Sequence, residues 1–548
     1  MKRIYRRILS AILFVNMAIP AVEACTNLIV GKGASTDGST LVTYAADSHV
    51  LYGELYHWPA ATHSPGEMLD VREWDTNHLL GQIPQTERTY NVVGNMNECQ
   101  LTIGETTFGG REGLVDTTAV MDYGSLIYIT LQRARTAREA IGTMTLLVQK
   151  YGYRSEGESF TIADPNEVWI MEMIGKGLRN KGAVWVAVRI PDDCISAHAN
   201  HARIHTFPLE DPDNCIYSPD VISFARQKGY FSGLNTDFSF ADAYAPADFE
   251  AIRSCDARVW SFYNMFSSGM DKYLPYLYGK SKEPLPLYIK PDRKISPQNM
   301  MNAMRDHFEG TPFDMTKDIG AGPFACPYRW RPLTFKVDSI EYINERAIAT
   351  QQTGFSFVAQ MRNYLPNPIG GVLWFGVDDA ATSVYIPMYC SITEVPECFK
   401  VGNGDLLTFS WTSAFWINNW VANMAYSKYN YMSADIRLVQ KKLEDEFKAS
   451  QPVIEKSAID LYSQSPEKVA KLLNDYSITK AQSTLESWKK LGEYLMVKYI
   501  DGNIKREKDG KFQRTNDGVS AKPLQPGYSK EFYKSIVKDT GDRLKVSF

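Results

Sequence analysis

The sequence contains no His-Glu-x-x-His pair and no Gly-x-Ser-x-Gly turn, so the common zinc-peptidase and serine-hydrolase signatures are missing. Gly279-Lys280-Ser281 has Leu274 where a phosphate-binding loop needs its first glycine, and Gly31-Lys32-Gly33 lacks the third glycine of a dinucleotide fingerprint. Neither motif supports nucleotide chemistry. Beyond residue 24 no run approaches the ~20 apolar residues that cross a bilayer. Basic residues are not in excess: 59 Lys and Arg against 63 Asp and Glu leave a net charge of −4. That balance argues against a nucleic-acid binder. Cysteine is scarce, eight in 548 residues, so the chain is no disulfide-stapled miniature. Internal repeats and low-complexity tracts are absent as well.

What remains is a globular composition, 44% hydrophobic and 22% charged, with enough length for a large core. The first 24 residues read as a secretory signal peptide. Lys2, Arg3, Arg6 and Arg7 precede an apolar run from Ile8 to Ile19, and Val22 and Ala24 form the small-residue cleavage pattern. The expectation is an exported protein, periplasmic or secreted, without a stable membrane span. Cleavage after Ala24 would take the net charge from −4 to −7 and make Cys25 the first residue.

A cysteine at that place has two readings. One is a lipid-anchored binding protein acylated on Cys25, although Glu23 fits poorly in a lipoprotein signal. The other is an N-terminal nucleophile. A free thiol titrates near ~8.5 and an α-amine near ~7.7–8.0, so on residue one the amine can take the thiol proton itself. The amine can later return it to a leaving amine. The leader alone leaves both readings open.

Thr26–Val30 reads as a buried strand, Gly31–Gly38 as a turn and Ser39–Tyr44 as a returning strand. Such a hairpin would hold Cys25 rigidly and bring Asp47 back toward it.

Cys25-Thr26, Val30-Gly31, Ala34-Ser35 and Asp37-Gly38-Ser39 form, in order, an opening pattern that resembles the dipeptidase A-like cysteine peptidases, the family that includes the secernins. Further matches are Tyr90–Thr107, Phe160–Gly175, Trp185–Ile204, the segment around Arg258, and Phe357–Tyr389. The resemblance implies an α+β fold, the four-layer αββα sandwich of N-terminal-nucleophile hydrolases. It also implies dipeptide substrates, with no metal and no cofactor. By resemblance Cys25 is the nucleophile, Asp47 steadies its amine, Asn97 supplies the oxyanion hole, Asn200 lines the site and Arg258 lies near the nucleophile. Many members carry Arg three residues before the Asp; here that residue is Tyr44, which brings no fixed charge, and Arg258 becomes the alternative source. The competing enzyme reading is an N-acyl amidase of the penicillin V acylase and bile-salt hydrolase type.

His198, His201 and His205 have ligand-like spacing, but the β-like segment before them favours polar loop residues over a metal site. Glu98 and Glu105 read as exposed strand residues without assigned chemistry. Export leaves disulfides open, Cys390–Cys398 for instance, without fixing connectivity.

Three divisions are expected: a signal peptide at 1–24, a catalytic domain at 25–432, and a helical appendage at 433–548 packed on the core. Thr136-Ala137-Arg138-Glu139 predicts a helix start and Gly152 its stop. Residues 160–163, 168–173 and 183–190 predict strands. Residues 205–255 predict loops and short helices able to line a cleft. Ile436, Val439, Leu443 and Phe447 mark one late helical stripe. Ser465-Pro466 opens a second late helix, and the series from Ala481 to Tyr499 marks a third.

Overall fold

A computed structural model describes residues 25–546. The predicted leader lies outside the described residues. The chain is a mixed α+β structure built on two large sheets.

The strands of these sheets are β1 (Asn27–Val30), β2 (Thr40–Asp47), β3 (His57–Trp58), β4 (Val92–Val93), β5 (Met96–Asn97), β6 (Thr102–Gly109), β7 (Gly157–Ala163) and β8 (Val168–Gly175). They continue with β9 (Ala183–Ile190), β10 (Ile195–His198), β11 (Cys215–Tyr217), β12 (Tyr288–Ile289), β13 (Thr353–Met361), β14 (Val372–Val377) and β15 (Ile386–Tyr389). One sheet has seven strands in the order β12-β10-β1-β2-β13-β14-β15, and the other has eight, β11-β9-β8-β7-β6-β5-β4-β3. Every pairing within them is antiparallel.

The predicted hairpin is present as β1 and β2, with Ile29 opposite Val42. The three predicted middle strands are β7, β8 and β9; β7 and β8 run slightly longer than predicted, and β9 has the predicted bounds.

Helix α1 (Tyr123–Leu131) packs on β6, and α2 (Ala137–Tyr151) packs on β7, β8 and β9. Thr136 caps α2 by accepting from the Glu139 amide, and Gly152 ends it at φ 81°, a backbone that glycine reaches without a Cβ clash. Helix α3 (Ala257–Phe266) packs on β10.

Three later helices cover β14 and β15: α4 (Ala414–Ser427), α5 (Tyr429–Tyr462) and α6 (Val469–Tyr499). The stripe through Ile436, Leu443 and Phe447 is buried, as is that through Ala481, Leu485, Trp488 and Leu495. The two helices expected after Ser465-Pro466 are one continuous α6, preceded by a 3-10 turn at Pro466–Lys468. The expected boundary at 432/433 falls inside α5, and residues on both sides share one hydrophobic core. Among the described residues no helix is long and apolar enough to cross a membrane. Cys390 and Cys398 are separate thiols, so the bridge between them is not formed.

Candidate active site

Cys25 lies just before β1. Thr26 and Ala45 exchange backbone hydrogen bonds of 3.3 and 2.9 Å, and that register carries Cys25 to the end of β2 where Asp47 sits. The Cys25 side chain is 4% exposed. It opens on a cavity of about 610 Å³ whose wall also carries Tyr44, Asp47, Tyr56, Glu105 and Tyr128. The sequence expectation that Asp47 returns to Cys25 is met to the extent that both line one cavity.

Glu105 is the residue that sequence reasoning missed. It is buried, not exposed. Its Oε1 stands 3.6 Å from Cys25 Sγ and accepts a hydrogen bond from the Tyr44 hydroxyl, whose oxygen is 3.9 Å from the same sulfur. Tyr44, in place of a charged residue, therefore links the thiol to a carboxyl. Burial pushes the Tyr44 hydroxyl well up, and neighbouring Cys25 and Glu105 add to it. Burial also pushes the Glu105 carboxyl up, against the hydrogen bonds from Tyr44 and Cys25.

Close approach of the two sheets creates this arrangement. An added Cβ on Gly104 would meet Asn27 Oδ1 at 2.4 Å and the Tyr44 Cβ at 3.2 Å. Glycine lets β6 lie against β1 and β2 here, and Asn27 Nδ2 donates to the Glu105 carbonyl at 2.6 Å across the gap. Strand β6 is also covered on its other side by α1, which leaves no solvent-facing side for Glu105.

Arg258 approaches from α3, just after a π-helical turn at Ile252–Asp256. Its Nη1 donates to the Cys25 carbonyl at 2.6 Å and to Thr26 Oγ1 at 2.7 Å. Its Nη2 donates to the Ala199 carbonyl at 3.1 Å and to Asn200 Oδ1 at 3.0 Å. Asn200, at φ 60°, donates through Nδ2 to the Thr107 carbonyl at 2.8 Å. Burial, with Arg346 adding to it, lowers Arg258 to about 10. Its charge thus lies at the Cys25 main chain.

Asp47 is completely buried. It accepts from Arg346 Nη2 at 2.5 Å and from Thr353 Oγ1 at 2.6 Å. Arg346 carried no motif in the sequence.

Asn97 is placed elsewhere. Its Nδ2 donates to the Leu131 and Ala134 carbonyls at 2.8 Å each, and its Oδ1 accepts from the Cys99 and Leu101 amides. The carboxamide is committed to the end of α1 and is not on the Cys25 cavity wall, so its side chain is not available for the oxyanion role expected of it.

The three histidines diverge. His198 joins the two sheets, hydrogen-bonded to Thr106 and Thr161 at 2.7 Å each. His201 pairs with Asp256 at 3.0 Å, and His205 bonds Ser239 at 3.2 Å.

A second cavity of about 610 Å³ lies on the far side of this group, with Asn200, Arg258, Arg346 and Glu158 on its wall. It meets the first at Glu73, Asp75 and Tyr123. Asp248, Glu250, Ser254 and Cys255, all within the predicted cleft segment, also line it.

The family model for Peptidase family C69 matches residues 24–57 and 49–442. The chain belongs to peptidase family C69. Peptidase chemistry is thus the setting in which this thiol, carboxyl and guanidinium are read, and the match reaches from the residue before Cys25 into α5.

Individual relatives agree. A probable dipeptidase of Salmonella dublin is 27% identical over 393 residues, covering 67% of this chain and 81% of the relative. Dipeptidase A of Lactobacillus helveticus is 24% identical over 448 residues, covering 77% and 84%. A probable dipeptidase B of Streptococcus pyogenes serotype M1 is 22% identical over 506 residues, covering 88% and 94%.

Proposed function

We propose that this C69 peptidase is an exported cysteine dipeptidase whose nucleophile is Cys25. The observation that carries the reading is the Cys25 thiol, buried at the mouth of a cavity, with Arg258 on its carbonyl and Glu105 beside its sulfur. Relatives named as dipeptidases over most of their length supply the substrate class.

In this reading signal peptidase removes residues 1–24 and releases the protein into the periplasm or medium. The freed α-amine of Cys25 takes the thiol proton as Sγ attacks the scissile carbonyl. The amine then returns that proton to the departing amine, and water hydrolyses the thioester. Asp47, held by Arg346 and Thr353, steadies the amine. Backbone amides hold the oxyanion, and Asn200, fixed by Arg258 and Thr107, lines the site. The fold is read as the αββα sandwich of N-terminal-nucleophile hydrolases. In support, α1 and α2 pack on the eight-stranded sheet, α4–α6 pack on the seven-stranded one, and the sheets meet through β6, β1 and β2.

A cysteine 4% exposed on a cavity wall is a poor lipid-attachment point, which favours the nucleophile over the anchored binding protein.

The test combines mass spectrometry of the mature N-terminus with turnover of a dipeptide panel beside glycocholate. Free Cys25, dipeptide turnover, and loss of that turnover in Cys25→Ala are expected. A diacylglyceryl-modified Cys25, or acyl-amide turnover without dipeptide turnover, overturns the proposal.

A further inference from the structure

Glu105 has a second carboxyl oxygen, Oε2, that is buried and has no hydrogen-bond partner among the described residues. A buried, unsatisfied carboxylate oxygen is costly, and a cation placed against it recovers that cost. The cavity that Glu105 lines is acidic. Glu54, Asp70, Glu73 and Asp75 share its wall, and Arg72 is the one Lys or Arg there among the described residues. The same wall carries an aromatic cluster in which Trp58 and Trp74 pack on Tyr128 at centroid distances of 4.2 and 4.5 Å. Carboxylates and aromatic faces together suit a small organic cation.

The distances are compatible with one such cation, the α-ammonium of the substrate. An attacking sulfur sits about 3–3.5 Å from the carbonyl carbon it attacks. In an amino acid the α-nitrogen lies two bonds, about 2.5 Å, from its own carbonyl carbon. A carboxyl 3.6 Å from Sγ through its Oε1 is therefore close enough to reach the α-ammonium of the residue whose carbonyl is attacked. Tyr44, donating to Oε1, fixes the carboxyl while leaving Oε2 for the ligand.

We infer that Glu105 is the specificity determinant that binds the free α-ammonium of the substrate's first residue and so limits this peptidase to substrates with an unblocked N-terminus. The inference rests on the dipeptidase reading for its substrate but on the Glu105 geometry for its content. It separates the chain from acyl amidases in physical terms, because an N-acyl group removes the ammonium charge and sets a carbonyl acceptor against the carboxylate.

The experiment uses the mature protein in two arms. In the kinetic arm, kcat/KM is measured for the best dipeptide of the panel and for its N-acetylated form, in the wild type, Glu105→Gln and Glu105→Asp. The wild type prefers the free amine at least a hundredfold. Glu105→Gln lowers that preference about tenfold to a hundredfold, the range of one hydrogen bond to a charged group, mainly through KM. Glu105→Asp, which keeps the charge, retains most of the preference. In the binding arm, alaninamide protects Cys25 from iodoacetamide in the wild type, N-acetylalaninamide does not, and Glu105→Gln loses the protection. A folded Glu105→Gln with undiminished preference, or equal protection by both amides, overturns the inference. If no dipeptide is cleaved, the dipeptidase reading fails while the binding arm still decides the role of Glu105.

Discussion

Asp47 and Arg346 stand 299 positions apart in the chain and form one buried ion pair, Oδ2 to Nη2, at 2.5 Å. The acid at the end of β2 is thus set by a residue that leads into β13, the strand paired beside it. Thr353, at the start of β13, completes its hydrogen bonding.

Removing one partner of such a pair leaves the other charge buried. Arg346→Met is expected to cost about 3–5 kcal/mol in urea unfolding. The double variant Arg346→Met/Asp47→Asn should recover part of that loss, because it removes the stranded carboxylate. An Arg346→Met midpoint equal to wild type would show that the pair does not hold the fold.

The pH dependence of turnover should report Glu105. The Tyr44 hydrogen bond favours the ionised carboxyl and opposes the upward push of burial. Tyr44→Phe removes that bond, so Glu105 takes up its proton at a higher pH. The acidic limb of kcat/KM for dipeptides is expected to move to higher pH, with little change on the alkaline side. A limb that stays in place would detach Tyr44 from this titration. Cys25, Glu158 and Asp75 are the other titrating neighbours of Glu105, and Glu158→Gln serves as the control for the carboxyl on the next strand.

Gly104→Ala tests the sheet approach. The new methyl would meet Asn27 Oδ1 and the Tyr44 Cβ, and overpacking of this kind costs about 1–3 kcal/mol. Thermal unfolding should show that loss, and activity should fall further than stability because Tyr44 and Glu105 are displaced together. Wild-type activity in Gly104→Ala would mean the sheets can part without disturbing the site.

His198 predicts a pH-dependent stability. Burial lowers it to about 3 from 6.5. The folded state keeps it neutral between Thr106 and Thr161, while the unfolded chain protonates it below about 6.5. Its contribution is complete above that pH and is lost as pH falls toward 3. At pH 5 the loss amounts to about 2 kcal/mol. His198→Gln should flatten the fall in unfolding free energy between pH 7 and pH 5 relative to wild type. Parallel curves would show that His198 is not the linked group.

What the sequence determined by itself is local and serial. The hairpin after Cys25, the start and stop of α2, the strands β7–β9 and the late amphipathic stripes were legible because caps, turns and periodicity act within a few residues. The family pattern around Cys25 was legible because it is contiguous. The tertiary structure alone decided which polar residues share the site. Glu105 read as exposed because alternation along one strand does not reveal that a second sheet and a helix cover both of its faces. Asn97 had the right neighbours in sequence, yet the carbonyls of Leu131 and Ala134 claim its amide. Arg346 had no local signal at all. Burial turns each of these polar groups from a solvated side chain into one that must find a partner, and only the packing of the two sheets determines which partner is near.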